Sequence, residues 1–148
     1  MNQAERAIRK HLFFHWIAMF IPAIASVIGL QMFTDLNAWG FVSELNIPFR
    51  VVVCLSWISS ILYSTSKMRF ALQMGINLSA ILLAVYNTAC ATITTVFFTF
   101  VGLSSDWAIL ILAFWLCTLS FAAYAYCCVR ILLDIIKIKR MRMCEPEP

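Results

Sequence analysis

The sequence predicts an all-α protein, a four-span transmembrane helix bundle with both termini in the cytosol. Three observations predict it. Of 148 residues, 63% are hydrophobic and 12% charged, against roughly 45–50% and about 25% in a soluble domain. A chain this short cannot hide so much apolar surface in a core of its own, and its mean hydropathy of +0.89 agrees. Four stretches approach the ~20 apolar residues that a spanning helix needs. When those stretches alternate in direction, ten of the 11 basic residues fall on one side.

The first span is read over residues 12–33. Arg6, Arg9 and Lys10 imitate the start of a signal peptide. The apolar run is long enough to span, however, and no cleavage site precedes Asp35, so it is read as a retained helix that also directs insertion. Pro22 is expected to kink it, because proline removes a backbone donor and crowds the preceding turn. The second span, 49–66, is short and rich in Ser. The third, 71–95, is drawn from Phe70–Val101, a stretch too long for one untilted span and too short for two with a turn. Its end, Thr94 to Phe100, is expected to leave the helix and lie at the outer interface. The fourth covers 107–126. Residues 1–11 then form a cytosolic N-terminus and 127–148 a basic cytosolic tail, ending in a disordered Glu145-Pro146-Glu147-Pro148.

Orientation follows from charge. Arg6, Arg9 and Lys10 precede span one, Lys67 and Arg69 fill the turn between spans two and three, and Arg130, Lys137, Lys139, Arg140 and Arg142 follow span four. Asp35, Glu44, Arg50 and Asp106 lie on the other side. Basic residues collect on the cytosolic side of membrane proteins. Three-span or five-span arrangements would scatter them.

Helices in lipid associate through small residues and occasional hydrogen bonds. Span one offers Ala18, Pro22, Ala25 and Gly29; span two offers Ser56, Ser60 and Ser64. Span three offers Ala80, Ala84, Thr88, Thr92, Thr95 and Thr99, and span four Ala113, Cys117, Ser120, Ala123 and Cys127. Large apolar side chains are expected to face lipid. Asn77 and Asn87 are read as packing amides, bonded to a Ser or Thr of a neighbouring helix. Asn77-Leu78-Ser79 matches a glycosylation sequon but lies within the membrane or near its cytosolic face, where glycosylation does not occur.

No Asp, Glu, Lys or Arg occupies the middle of a span, which argues against a proton-driven carrier. No paired-carboxylate, HExxH, GxSxG or P-loop pattern is present, so no catalytic residue, metal site or cofactor is assigned and the chain is read as non-enzymatic. His11 and His15 share a helical face, but no acidic or thiol residue stands beside them in sequence, and interfacial anchoring is the better reading. The six cysteines avoid the outer loops, which excludes an extracellular disulfide framework. The loop with Asn37, Trp39 and Gly40 is too short for a binding domain. Cys127 and Cys128, beside Arg130, are candidates for palmitoylation, the alternative being two small packing residues. Cys144 has four residues after it and so is not a prenylation site. Arg130, Lys137, Lys139, Arg140 and Arg142 are candidates for contact with anionic lipid, at about 1 kcal/mol per basic residue.

The layout resembles the MARVEL-type tetraspan membrane proteins, particularly small fungal members. A short basic N-terminus leads into span one, Pro48-Phe49-Arg50-Val51 opens span two, Leu62-Tyr63 closes it, Asn77 stands in span three, and Phe121-Ala122-Ala123-Tyr124 lies in span four. Outer-loop cysteines, common in some members, are missing. The resemblance implies membrane apposition, trafficking or lateral membrane domains, at the plasma membrane or in the endomembrane system. The expected function is a tetraspan scaffold that organises membrane lipids, other membrane proteins or further copies of itself, with no nucleic-acid partner. An accessory subunit or assembly factor of a larger membrane complex is the alternative, followed by a small Ser/Thr-lined pore.

Overall fold

With four Gly and four Pro in the whole chain, long stretches carry no helix breaker, and helices follow. The computed structural model describes residues 3–35, 42–64, 69–101 and 108–144, apart from the side chains at 3, 4, 33, 34, 42–45, 63, 64, 142 and 144. Lys67, the connection with Asn37, Trp39 and Gly40, the side chains of Tyr63, Ser64, Arg142 and Cys144, and the last four residues thus lie outside the described set. The described residues form α1 (Gln3–Asp35), α2 (Val42–Ser64), α3 (Phe70–Val101) and α4 (Ala108–Cys144). At 1.5 Å per residue, the 33 residues of α1 and the 37 of α4 run about 50 Å and about 55 Å.

Three helices are long and apolar enough to cross a membrane, through Glu5–Met32, Phe70–Val101 and Ala108–Met141. The apolar part of α2, Asn46–Leu62, is shorter. Every helix also turns large apolar side chains outward, among them Ile21 and Ile28, Val51 and Ile58, Leu82 and Phe97, and Leu112 and Leu116. Water-soluble monomers rarely expose contiguous apolar surface on this scale. The chain is a membrane-embedded helical bundle.

The helices form a ring in which α1 packs on α2 and α4, and α3 on α2 and α4. Side-chain pairs give their directions. Met19 meets Cys128 and His15 meets Asp134, so α1 and α4 are antiparallel. Trp16 stacks on Trp57 while Asn46 reaches Gln31, so α1 and α2 are antiparallel. Thr95 meets Thr118, and Lys139 sits over Phe70, so α3 and α4 are antiparallel. Phe49 touches Phe121 and Ser56 touches Tyr124, which sets α2 parallel to α4 across the ring. Both chain ends therefore lie at one end of the bundle, here called the terminal end.

One boundary expected from sequence moves. Thr94 to Phe100 does not leave the helix; α3 continues to Val101. Thr94 and Thr99 bond back to the carbonyls of Cys90 and Thr95, and Phe98 stacks on Phe114 of α4 at 5.3 Å. The Phe98–Phe114 contact holds the last turns of α3 to α4. α4 runs unbroken past Tyr126 to Cys144. Ile131, Ile135 and Ile138 are fully buried, so this segment belongs to the bundle.

The small-residue faces also need correction. On α4 the inner face is built of Phe114, Phe121, Tyr124 and those three isoleucines, while Ala123 faces outward. Phe121 and Tyr124 pack edge-on against Phe49 of α2, and α3 brings only small apolar residues, Ala80, Ala84 and Ala91, to the same buried core. On α1 Ala18 is exposed, but Gly29 lies against Cys117, where an added Cβ would come within 3.0 Å of the Cys117 Cβ. That close approach is what small residues permit between helices in lipid.

Candidate functional site

The most distinctive chemistry among the described residues is a polar seam through the bundle interior. Its backbone is α3, where Gln73, Asn77, Asn87 and Thr95 share the buried face with the three alanines. Positions three or four apart stack on one side of a helix, and Gln73 lies one turn before Asn77 on that face. Sequence reading singled out the two asparagines and missed the glutamine, although its i, i+4 spacing from Asn77 carried the signal.

From α2, the Ser56 hydroxyl lies 2.7 Å from the Tyr124 hydroxyl of α4. Ser60 donates to the Ser56 carbonyl at 2.6 Å and accepts from Gln73 Nε2 at 3.5 Å. Further along, the Thr95 and Thr118 hydroxyls lie 3.1 Å apart. Ser56 and Ser60 thus occupy the interhelical positions expected of them. Asn77 and Asn87 are buried as expected, but neither amide meets the Ser or Thr partner foreseen for it. Both atoms of each amide, and Gln73 Oε1, lack a hydrogen-bond partner.

Toward the terminal end, His15 Nδ1 of α1 stands 2.9 Å from Asp134 Oδ2 of α4. Asp134 is buried. The view of His15 as an anchor with no acidic neighbour is therefore overturned: the neighbour lies 119 residues away in sequence and is supplied by helix pairing. Trp16 adds a donated bond from Nε1 to the Trp57 carbonyl at 3.0 Å and stacks on that ring at 4.8 Å. Among the described residues, no group of three or more His, Cys, Asp or Glu gathers as a metal site would require.

Cys128 is fully buried with its Sγ 3.8 Å from Met19 Sδ, and Cys127 is buried beside it. The geometry therefore favours packing over presentation to an acyl-transferring enzyme at both positions. Of the candidate lipid-contacting residues, Arg130, Lys137 and Arg140 are exposed. Lys139 Nζ lies 4.0 Å over the Phe70 ring, which ties the end of α4 to the start of α3. Arg6, Lys10 and Arg69 are exposed at the same end, and Arg9 pairs there with Glu5 at 2.9 Å.

At the opposite end a second polar cluster joins α1 to α2. Arg50 donates to Asn46 Oδ1 at 2.7 Å and to Gln31 Oε1, and Gln31 Nε2 donates to Asp35 at 2.6 Å. From sequence, Arg50 stands as the exception to the charge rule and as part of the Pro48-Phe49-Arg50-Val51 resemblance. Asn46 is a local partner four residues before it, but Gln31 comes from α1 and no local motif announces it.

Comparison with protein-family models, with curated proteins and with solved structures returns no match.

Proposed function

We propose that this chain is a four-pass membrane protein with both termini in the cytosol, acting without catalysis as a tetraspan scaffold for lipids and partner proteins. One observation carries the reading most directly: α2 lies alongside its neighbours from one end of the bundle to the other. It touches α1 near Gln31 at one end, and toward the other its Ser60 meets Gln73 in the first turn of α3, so a membrane crossed by α1 and α3 would enclose α2 as well. Its shorter apolar stretch fits a helix whose inner face is polar and shielded by α3 and α4. The charge pattern supports the orientation, with exposed basic residues gathered at the terminal end and Arg50 beside Asp35 at the other.

The interior supports a structural role. Its polar groups are mostly hydroxyls and amides, and the His15–Asp134 contact links two helices. The lipid-facing surface is continuous on all four helices, which is what a protein acting through its surroundings presents. The resemblance to MARVEL-type tetraspan proteins agrees with this reading.

Affinity purification of the intact protein in mild detergent tests it. A scaffold retains lipids and several partners at variable ratios. Recovery of one partner complex at fixed stoichiometry would favour the accessory-subunit reading, and solute flux in proteoliposomes would favour a pore.

A further inference from the structure

Away from the termini, an open cleft of about 610 Å³ is lined chiefly by α1, through Val27, Ile28, Gln31 and Asp35, with Arg50 of α2 and Leu110 of α4. Small-molecule pockets commonly span about 300–1,000 Å³. A second cavity of about 280 Å³ shares Val27 and Ile28 with it and continues between α1 and α2 past Ile24, Val53 and Phe20 to Trp57. The first has a cation and an anion at its mouth. The second is lined by apolar side chains alone. Together they form one groove, charged at one end and greasy along the rest.

From Phe20 to Asp35 the groove follows 15 helical steps, about 22 Å at 1.5 Å each. Half of a bilayer with its headgroup layer is about 20–22 Å. The groove therefore matches one leaflet, with its charged end at headgroup depth. Arg50 is the lone basic residue on its side of the chain. A guanidinium carries five N–H donors, and its bonds to Asn46 and Gln31 use two of them while fixing the side chain in place. A planar guanidinium held this way suits a phosphate. Asp35 is exposed and joined to Arg50 through Gln31. A purely anionic headgroup would meet its carboxylate, whereas an amine beyond the phosphate would be attracted to it.

We infer that this groove is a binding site for a zwitterionic glycerophospholipid of the leaflet opposite the termini. The phosphate sits on Arg50, the amine lies toward Asp35, and one acyl chain runs between α1 and α2 toward Trp57. The site rests on the membrane-embedded reading and gives the scaffold a defined lipid, but it does not require any protein partner.

The test titrates the full-length protein, in nonionic detergent, with phosphatidylethanolamine and separately with phosphatidylglycerol, and counts bound lipid by native mass spectrometry. The wild type should retain one phosphatidylethanolamine about fivefold or more in preference to phosphatidylglycerol. Arg50→Gln should weaken that retention about tenfold or more, as expected for loss of charge-assisted hydrogen bonds, and Arg140→Gln, at an exposed position of the terminal end, should not. Val27→Trp, which fills the groove with Arg50 intact, should weaken it as well. Asp35→Asn should narrow the preference between the two lipids, a ratio that a general loss of folded protein would not change. Equal binding of both lipids by the wild type, or undiminished retention by Arg50→Gln, would overturn the site. Retention of the lipid by a chain that co-purifies no protein partner supports the site while counting against partner organisation.

Discussion

His15 and Asp134 meet at 2.9 Å across the first and last helices, the longest-range side-chain contact described in the fold. Their burial is unequal, with Asp134 more enclosed than His15. Removing the histidine strands a buried acceptor, which costs about 1–3 kcal/mol or more when charged; removing the aspartate strands a half-buried imidazole that water can reach. His15→Leu should therefore lower the unfolding midpoint in detergent more than Asp134→Leu does. The double variant should be more stable than the sum of the two losses implies. Strict additivity would mean the pair does not couple α1 to α4.

Gly29 and Gly75 separate close packing from helix propensity. An added Cβ at Gly29 meets Cys117 at 3.0 Å, while nothing lies within 4 Å of one at Gly75. Gly29→Ala must push α1 from α4 and should cost about 1–3 kcal/mol, the usual penalty of overpacking. Gly75→Ala should be neutral or stabilising by up to about 1 kcal/mol. Thermal unfolding in detergent measures both, and equal effects would contradict the packing described.

The polar seam supplies a contrast within the bundle interior. Ser56 of α2 is paired with Tyr124 of α4, whereas the Asn87 amide of α3 has no partner among the described residues. Ser56→Ala should then cost about 0.5–1.5 kcal/mol, the net value of a typical hydrogen bond. Asn87→Leu should cost nothing or raise stability, because it removes an unsatisfied buried polar group. A marked loss with Asn87→Leu would show that the amide is bonded in the membrane, by water or by a neighbouring chain.

Much of this was legible in the sequence and some was not, for physical reasons. Hydropathy marks α1, α3 and α4 because lipid demands long apolar helices, and the serines of α2 mark a face turned inward. Asn77 and Asn87 stand out because amides are rare in such helices. The His15–Asp134 pair and the Arg50–Gln31–Asp35 chain were invisible, since each depends on which helices become neighbours and at what height. The inner face of α4 misled for a similar reason. Small residues are a common solution for helix contact, but Phe121 and Tyr124 point inward to meet Phe49 and Ser56 of α2.

Cys128 offers a check on the terminal half of α4. Buried against Met19, it should resist a membrane-permeant alkylating reagent until the protein is unfolded in SDS. Hydroxylamine-sensitive acylation should be absent from it. Rapid labelling or acylation of Cys128 in the folded state would mean that α1 and α4 separate there.

The central claim is that four helices alternate across the bilayer with both ends in the cytosol. Single cysteines at Ser43, Ser66 and Ser105, in a background lacking the native cysteines, test it most directly with an impermeant thiol reagent applied to intact cells. Positions 43 and 105 should label from outside, and position 66 only after permeabilisation. Labelling of position 66 from outside, with 43 and 105 protected, would contradict the account.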